Sequence, residues 1–276
     1  MTVAHIVPSP PAFALSAFAL CTALLISPTA LFAQALPPPA SEQPKPDPSF
    51  PFSTEIEDFA RAEAEAGRAG IRYTDTDVFL GSSSIRLWDV HSSFPDLTTI
   101  NRGFGGATTP DVLHYYDRLR PRRAPRSFVV YVGENDLSAG TSPEKVAQNV
   151  LTLLGRLRTD YPRTPIVWLS LKPSPIRWTA YPRMLEVNRL VAARARDKSF
   201  DYLEVGSALL APDGLPDASL FRPDGLHMNP RGYAHWNRLV SGWLANAVRP
   251  VHPIAAPARL APRPPNQPKD QTALAR

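Results

Sequence analysis

The residues that could do chemistry in this chain fall in four short polar blocks. Gly81-Ser82-Ser83-Ser84 follows the apolar run Val78-Phe79-Leu80, and a glycine-rich turn from Asn101 to Thr109 (Asn-Arg-Gly-Phe-Gly-Gly-Ala-Thr-Thr) follows Thr98–Ile100. Gly133-Glu134-Asn135-Asp136 follows Phe128–Val132, and Asp224-Gly225-Leu226-His227-Met228-Asn229 precedes the last helical segment. A serine hydroxyl is inert at its own pKa and becomes a nucleophile only when a base takes its proton in the transition state. His227 is such a base, and it would afterwards return the proton to a leaving alcohol. Asp224, three residues earlier, is spaced to fix the imidazole tautomer and stabilise its cation. Of the six histidines, His5 and His252 lie in the terminal segments and His235 falls inside the last helical segment; His91 and His114 lack a comparably phased carboxylate, which selects His227. Residue type alone does not choose among Ser82, Ser83 and Ser84, because a serine-rich turn is also what a capped helix or hydrogen-bonded loop looks like.

The elements that must position these groups can be read from periodicity. Strand-length apolar runs at Val78–Leu80, Thr98–Ile100, Phe128–Val132, Ile166–Leu169 and Tyr202–Val205 alternate with segments of helical period at Asp111–Leu119, Pro143–Arg158 and Leu185–Arg196. Strand alternating with helix predicts one parallel sheet with helices on both faces, an α/β fold whose ligands bind beyond the carboxyl ends of the strands. Ahead of the sheet, Thr54–Arg68 reads as a helix, with a Thr54/Glu57 capping box and a stripe of Ile56, Phe59, Ala60 and Ala64. The last helix opens at Asn229-Pro230 and carries Tyr233, Trp236, Val240, Trp243 and Leu244 on one face.

Composition bounds the rest. The chain has 276 residues, 43% hydrophobic and 20% charged, enough for a full core, and its 32 prolines concentrate towards the ends. Pro11–Ile26 is an apolar run too short and alanine-rich for a comfortable span, followed by Ala33-Gln34-Ala35, so residues 1–35 read as a signal peptide and the mature protein as exported, periplasmic or secreted. The absence of Lys or Arg before the run keeps a mis-chosen start or an uncleaved anchor as alternatives. Residues 36–51 read as a Pro-rich linker, 52–248 as the folded domain with no stable membrane span, and 249–276 as a disordered Pro/Arg-rich tail. Cys21 is the only cysteine, so cleavage would leave no thiol for catalysis, disulfides or thiolate metal sites. The tail holds a net +4 of the formal +5, so the basic balance gives no support for nucleic-acid recognition by the domain.

The four blocks in this order, over roughly Val78 to Leu244, resemble the SGNH (GDSL-type) hydrolases, named for Ser, Gly, Asn and His in four motifs. The chain departs from the motif at Ser82, where the family carries Asp. The resemblance implies a three-layer α/β/α sandwich with a flavodoxin-like five-stranded parallel sheet of order 2-1-3-4-5. It places the nucleophile two residues after the motif glycine and about five before a frequent tryptophan; Gly81, Ser83 and Trp88 fit both, so Ser83 is the implied nucleophile. It assigns the oxyanion hole to the Ser83 and Gly106 backbone N–H groups and the Asn135 side-chain amide, with Gly105 as the near alternative to Gly106. Trp88 reads as a core aromatic, and Asp136 as a residue that holds its loop or caps a helix.

The implied activity is hydrolysis of small acyl esters, with O-acetyl groups on carbohydrate as a candidate, through an acyl-serine intermediate and with no cofactor. An acyltransferase to a sugar hydroxyl and a non-catalytic carbohydrate-binding relative are the rivals within the fold. Lys172, Arg177 and Trp178, on the loop after the fourth strand run, are candidates to contact a sugar or the alcohol part of an ester, with a packed structural loop as the equal alternative, and Arg102 divides evenly between the same two readings. Dinucleotide binding fails on pattern, because no third glycine stands at the required offset after Gly103 and Gly105. A metal site is not expected, since no helical His pair or compact His/carboxylate set is present.

Overall fold

A computed structural model describes residues 52–70 and 73–247. The readings of residues 1–35 as a signal peptide, 36–51 as a linker and 249–276 as a tail lie outside the described residues. Five strands, β1 (Thr76–Gly81), β2 (Thr98–Gly103), β3 (Ser127–Tyr131), β4 (Ile166–Leu169) and β5 (Asp201–Leu203), form one sheet of order β2-β1-β3-β4-β5 in which every pairing is parallel. The helices are α1 (Ser53–Arg68), α2 (Ser83–Arg86), α3 (Val90–Ser93), α4 (Thr109–His114), α5 (Tyr116–Leu119), α6 (Glu134–Ser138), α7 (Pro143–Asp160), α8 (Tyr181–Ala192), α9 (Ala195–Lys198) and α10 (Pro230–Ala247).

β1, β3 and β4 lie inside the sheet and are buried along their whole length, which is why they read as unbroken apolar runs; β2 and β5, at the edges, are partly exposed. Side chains alternate between the two faces of a strand. Tyr131 of β3 packs against Trp236 of α10 at 5.0 Å between ring centroids, whereas Phe128, on the opposite face, packs against Tyr161 at the end of α7 at 5.0 Å. Helices therefore cover both faces, giving the three-layer α/β/α sandwich that the alternation of elements implies.

Three details differ from the sequence reading. α1 begins two residues earlier than a Thr54 cap would allow, Phe52 occupies the N-cap without a side-chain bond, and Ala60 and Ala64 are exposed, so the buried stripe reduces to Ile56 with Phe59 partly covered. The segment expected as one helix over Asp111–Leu119 is broken at Tyr115 into α4 and α5. Tyr181–Ala192 starts four residues ahead of Leu185 and stops before α9. The Asn229 cap is as expected: its Oδ1 accepts from the N–H groups of Arg231 at 2.9 Å and Gly232 at 3.2 Å.

Candidate active site

All five strands deliver a loop to the carboxyl edge of the sheet, and the first of these turns is the sharpest. β1 ends at Gly81 with φ +150°, and a Cβ built there would stand 1.9 Å from the Tyr131 carbonyl oxygen on β3. Only glycine lets the two central strands approach this closely while the chain breaks away into α2. Ser82 is 3% exposed and Ser84 4%, whereas Ser83, the first residue of α2, is half-buried. The first N–H groups of a helix have no partner within it, so the Ser83 N–H is free of helical pairing by its position.

His227 reaches this turn from the long loop after β5. Its Nε2 lies 3.0 Å from Ser83 Oγ, and its Nδ1 lies 2.8 Å from Asp224 Oδ2. A carboxylate accepts only, so Nδ1 carries the proton and Nε2 is left to accept the serine proton. Asp224 Oδ1 accepts from the backbone N–H groups of Leu226 at 2.8 Å and His227 at 2.9 Å, which locks the loop around the pair. Slight burial pushes the Asp224 carboxyl up, but the hydrogen bonds from the His227 side chain, the His227 N–H and the Leu226 N–H outweigh it and hold it well below the usual range. The structure thus brings Ser83, His227 and Asp224 into one hydrogen-bonded chain.

The other residues expected to form the oxyanion hole stand on the turns after β2 and β3. Gly106 stands in the left-handed region at φ +72°, and a Cβ there would meet no atom within 4 Å, so backbone conformation requires glycine and the space beside it is open. Asn135, early in α6, donates from Nδ2 to the Ala107 carbonyl at 3.0 Å. Asp136 accepts from the Thr109 N–H with both oxygens, at 3.1 and 2.9 Å, so it holds the start of α4 as expected, and burial raises its carboxyl above the usual range. The Gly106 turn and the Asn135 turn are therefore bolted together by consecutive residues, Asn135 and Asp136.

The residues expected to contact substrate are placed differently. Lys172 is fully buried: its Nζ lies 3.3 Å from Glu134 Oε2 and donates to the Leu226 carbonyl at 2.9 Å. Arg102 is 3% exposed, pairs with Glu63 of α1 at 3.5 Å and lies over the Phe59 ring. Both cations are spent inside the fold, because a buried charge is tolerable only when paired, and the substrate-contact reading of each is corrected to a structural one. Trp178 is half-buried and stacks on Tyr181 at 5.2 Å, leaving part of its ring exposed on the loop after β4. Trp88 is a core aromatic at 2% exposure, its Nε1 donating to Asn237 Oδ1 at 2.8 Å.

Sequence reasoning missed Glu134. It is 3% exposed and accepts from Tyr131 OH at 2.5 Å and from Arg177 Nη1 at 2.9 Å, in addition to facing Lys172. Burial pushes its carboxyl up, but the two cations and the tyrosine hydroxyl overcome that and leave it below the usual range. A glutamate next to the block asparagine, with Lys172 and Arg177 on one later loop, was the available signal. Among the described residues there is no cluster of three His, Cys, Asp or Glu side chains able to hold a metal ion, and no helix long and apolar enough to cross a membrane.

Residues 86–235 match the GDSL-like lipase/acylhydrolase family, a stretch that contains Gly106, Asn135, Asp224 and His227 and begins three residues after Ser83. Among solved structures the fold is similar to a Streptococcus pneumonia protein provisionally named as a platelet activating factor (TM-score 0.61, 20% identity, covering 70% of this chain and 94% of that one). It is also similar to a GDSL-like lipase from Bacteroides thetaiotaomicron (TM-score 0.56, 18% identity, 68% and 99% covered). A third is a variant of an acetyl xylan esterase from Geobacillus stearothermophilus (TM-score 0.51, 14% identity, 62% and 94% covered). A search of curated protein sequences finds no match.

Proposed function

The chain belongs to the GDSL-like lipase/acylhydrolase family, and from that premise we propose that it is an exported serine esterase that hydrolyses small acyl esters, O-acetyl groups on carbohydrate among them. The observation that carries the reading is the unbroken chain from Asp224 Oδ2 to His227 Nδ1 at 2.8 Å and from His227 Nε2 to Ser83 Oγ at 3.0 Å. Ser83 Oγ attacks the ester carbonyl carbon as its proton passes to Nε2. The carbonyl π pair moves onto oxygen, where the Ser83 and Gly106 N–H groups and the Asn135 amide receive the charge. Collapse expels the alcohol, protonated by the His227 imidazolium, and leaves an acyl-serine. Water then attacks with His227 as base, and the second collapse releases the acid and restores Ser83.

The exported location is supported by the small-x-small sequence Ala33-Gln34-Ala35 after an apolar run. Carbohydrate as the alcohol part draws on that location and on the acetyl xylan esterase among the structures of similar fold. The test is hydrolysis of p-nitrophenyl esters from acetate to octanoate, together with acetylated glycans, by the full chain and by Ser83→Ala. Highest turnover on acetate, lost in Ser83→Ala, is the expected result. Turnover retained in Ser83→Ala but lost in Ser82→Ala would move the nucleophile, and no turnover on any ester with saturable glycan binding would replace the enzyme reading by a binding one.

A further inference from the structure

Arg177 is a charged group at the site that neither the triad nor the oxyanion donors account for. It lies on the short 3₁₀ segment Pro175–Ala180 after β4, where its own backbone departs from helical geometry (φ −112°, ψ 18°), and its side chain is 19% exposed. One terminal nitrogen donates to Glu134 Oε1 at 2.9 Å and the other donates to Asn135 Oδ1 at 3.1 Å. A carboxamide has one oxygen acceptor and two N–H donors. Arg177 can only face the oxygen and the Ala107 carbonyl can only face the nitrogen, so the orientation of the Asn135 amide is fixed by its partners and one N–H remains for a ligand.

We propose that Arg177 is a positioning residue that orients and polarises the Asn135 amide, making its remaining N–H a stronger donor to the oxyanion. The proposal rests on the esterase reading. A cation hydrogen-bonded to the amide oxygen draws electron density from the nitrogen, and bonds so linked strengthen one another in a partly water-excluded site. The gain grows as charge develops on the substrate oxygen, so it acts on the transition state more than on the bound ester. The geometry is held from behind: Glu134 grips the guanidinium, and Lys172, on the same loop, neutralises the other Glu134 oxygen and pins the Leu226 carbonyl between Asp224 and His227. The Ile176 N–H donates to the Gly225 carbonyl at 3.1 Å, so the loop after β4 touches both the oxyanion donor and the acid–base loop.

The experiment is a double-mutant cycle in the full chain with p-nitrophenyl acetate, comparing Arg177→Ala, Asn135→Ala and the pair. Wild-type turnover that disappears in Ser83→Ala establishes the esterase first, so failure of the cycle is distinguishable from failure of that reading. Arg177→Ala should lower kcat by about 10- to 100-fold with KM changed by less than about three-fold, since a whole oxyanion donor is worth on the order of 100-fold or more. A trifluoromethyl ketone, which forms a tetrahedral adduct with its oxygen in the hole, should lose affinity by a factor similar to kcat/KM. In the Asn135→Ala background the same Arg177→Ala change should cost less than about two-fold, because the group it acts through is gone. Arg177→Lys, which keeps a charge but loses the fork, should recover part of kcat, and methylguanidinium should restore part of Arg177→Ala activity. Losses that multiply in the double variant, or a raised KM with kcat unchanged, would overturn the proposal. If Arg177→Ala does not fold, the cycle run with Arg177→Lys decides it by the same criterion.

Discussion

Glu134→Gln is the substitution with the most to say about this fold. The side chain keeps its shape and loses its charge, yet it sits at 3% exposure, facing Lys172, Arg177 and Tyr131 at 3.3, 2.9 and 2.5 Å. Lys172 is itself fully buried, so the variant leaves an ammonium group hydrogen-bonded to the Leu226 carbonyl but with no counter-charge next to it. Removing one partner of a buried pair costs about 3–5 kcal/mol, which for a domain of this size lowers Tm by roughly 6–20 °C. The pH dependence has a defined sign. Glu134 has a folded pKa below its ordinary 4.5, so in the wild type its contribution is present above that value and is lost as pH falls through the folded pKa; the variant should lack this acid-limb loss. Burial lowers the Lys172 pKa from 10.5, and Glu134 opposes that shift. Without Glu134 the depression deepens, the unfolded state binds more protons over a wider range, and stability should rise more steeply from neutral pH towards 10 than in the wild type. Scanning calorimetry of both proteins from pH 3 to 10 is the assay. Glu134→Gln with Lys172→Met should recover most of the loss, because an apolar replacement removes the stranded charge. A Tm within 2 °C of wild type for Glu134→Gln alone, with unchanged pH dependence, would refute the reasoning.

Other substitutions separate the roles of neighbouring residues. Asp224→Asn should lower kcat by roughly 10³- to 10⁴-fold with Tm nearly unchanged, because the half-exposed carboxylate fixes the imidazole tautomer more than it supports the fold. Gly81→Ala should yield little soluble protein, since its Cβ would stand 1.9 Å from the Tyr131 oxygen on a strand that cannot move, and wild-type expression would show that the turn relaxes. Arg102→Met should lower Tm by several degrees through loss of the Glu63 and Phe59 contacts while kcat/KM on acetate esters stays within about two-fold; a selective rise in KM would return Arg102 to the substrate site.

The strands were legible because three of the five are buried on both faces and read as continuous apolar runs, and their order followed from the family resemblance. Ser83, Asn135, Asp224 and His227 were legible because each stands in a short block after a strand or before a helix. Lys172 and Arg102 were misread for one physical reason. A cation in a polar, Pro- or Gly-rich loop looks solvent-facing in one dimension, but Leu171, Lys172, Pro173 and Ser174 are all buried, and Lys172 reaches inward to the Leu226 carbonyl. Arg102 belongs to β2 beneath a helix, α1, whose docking leaves no periodic trace on the strand. The same blindness hid Glu134: its signal in the sequence, a glutamate beside the block asparagine, gains meaning from Lys172 and Arg177 only when the fold sets that later loop against it.

Tyr233 of α10 donates its hydroxyl hydrogen to the Ser84 carbonyl at 2.8 Å, and Trp88, just after the nucleophile turn, reaches Asn237 of the same helix. These partners are each 149 residues apart in the chain, and Ser83 and His227 are 144 apart. Contacts of such separation close long loops, and a fold rich in them has a high contact order and folds slowly. The turn that carries Ser83 is thus braced by α10, an element far from it along the chain. A chain that ends before His227 carries Ser83 without its imidazole partner, and one that ends before α10 carries it without the Tyr233 and Asn237 contacts. The last helix is therefore a remote support of the turn that carries Ser83, and its loss would remove both of these contacts at once.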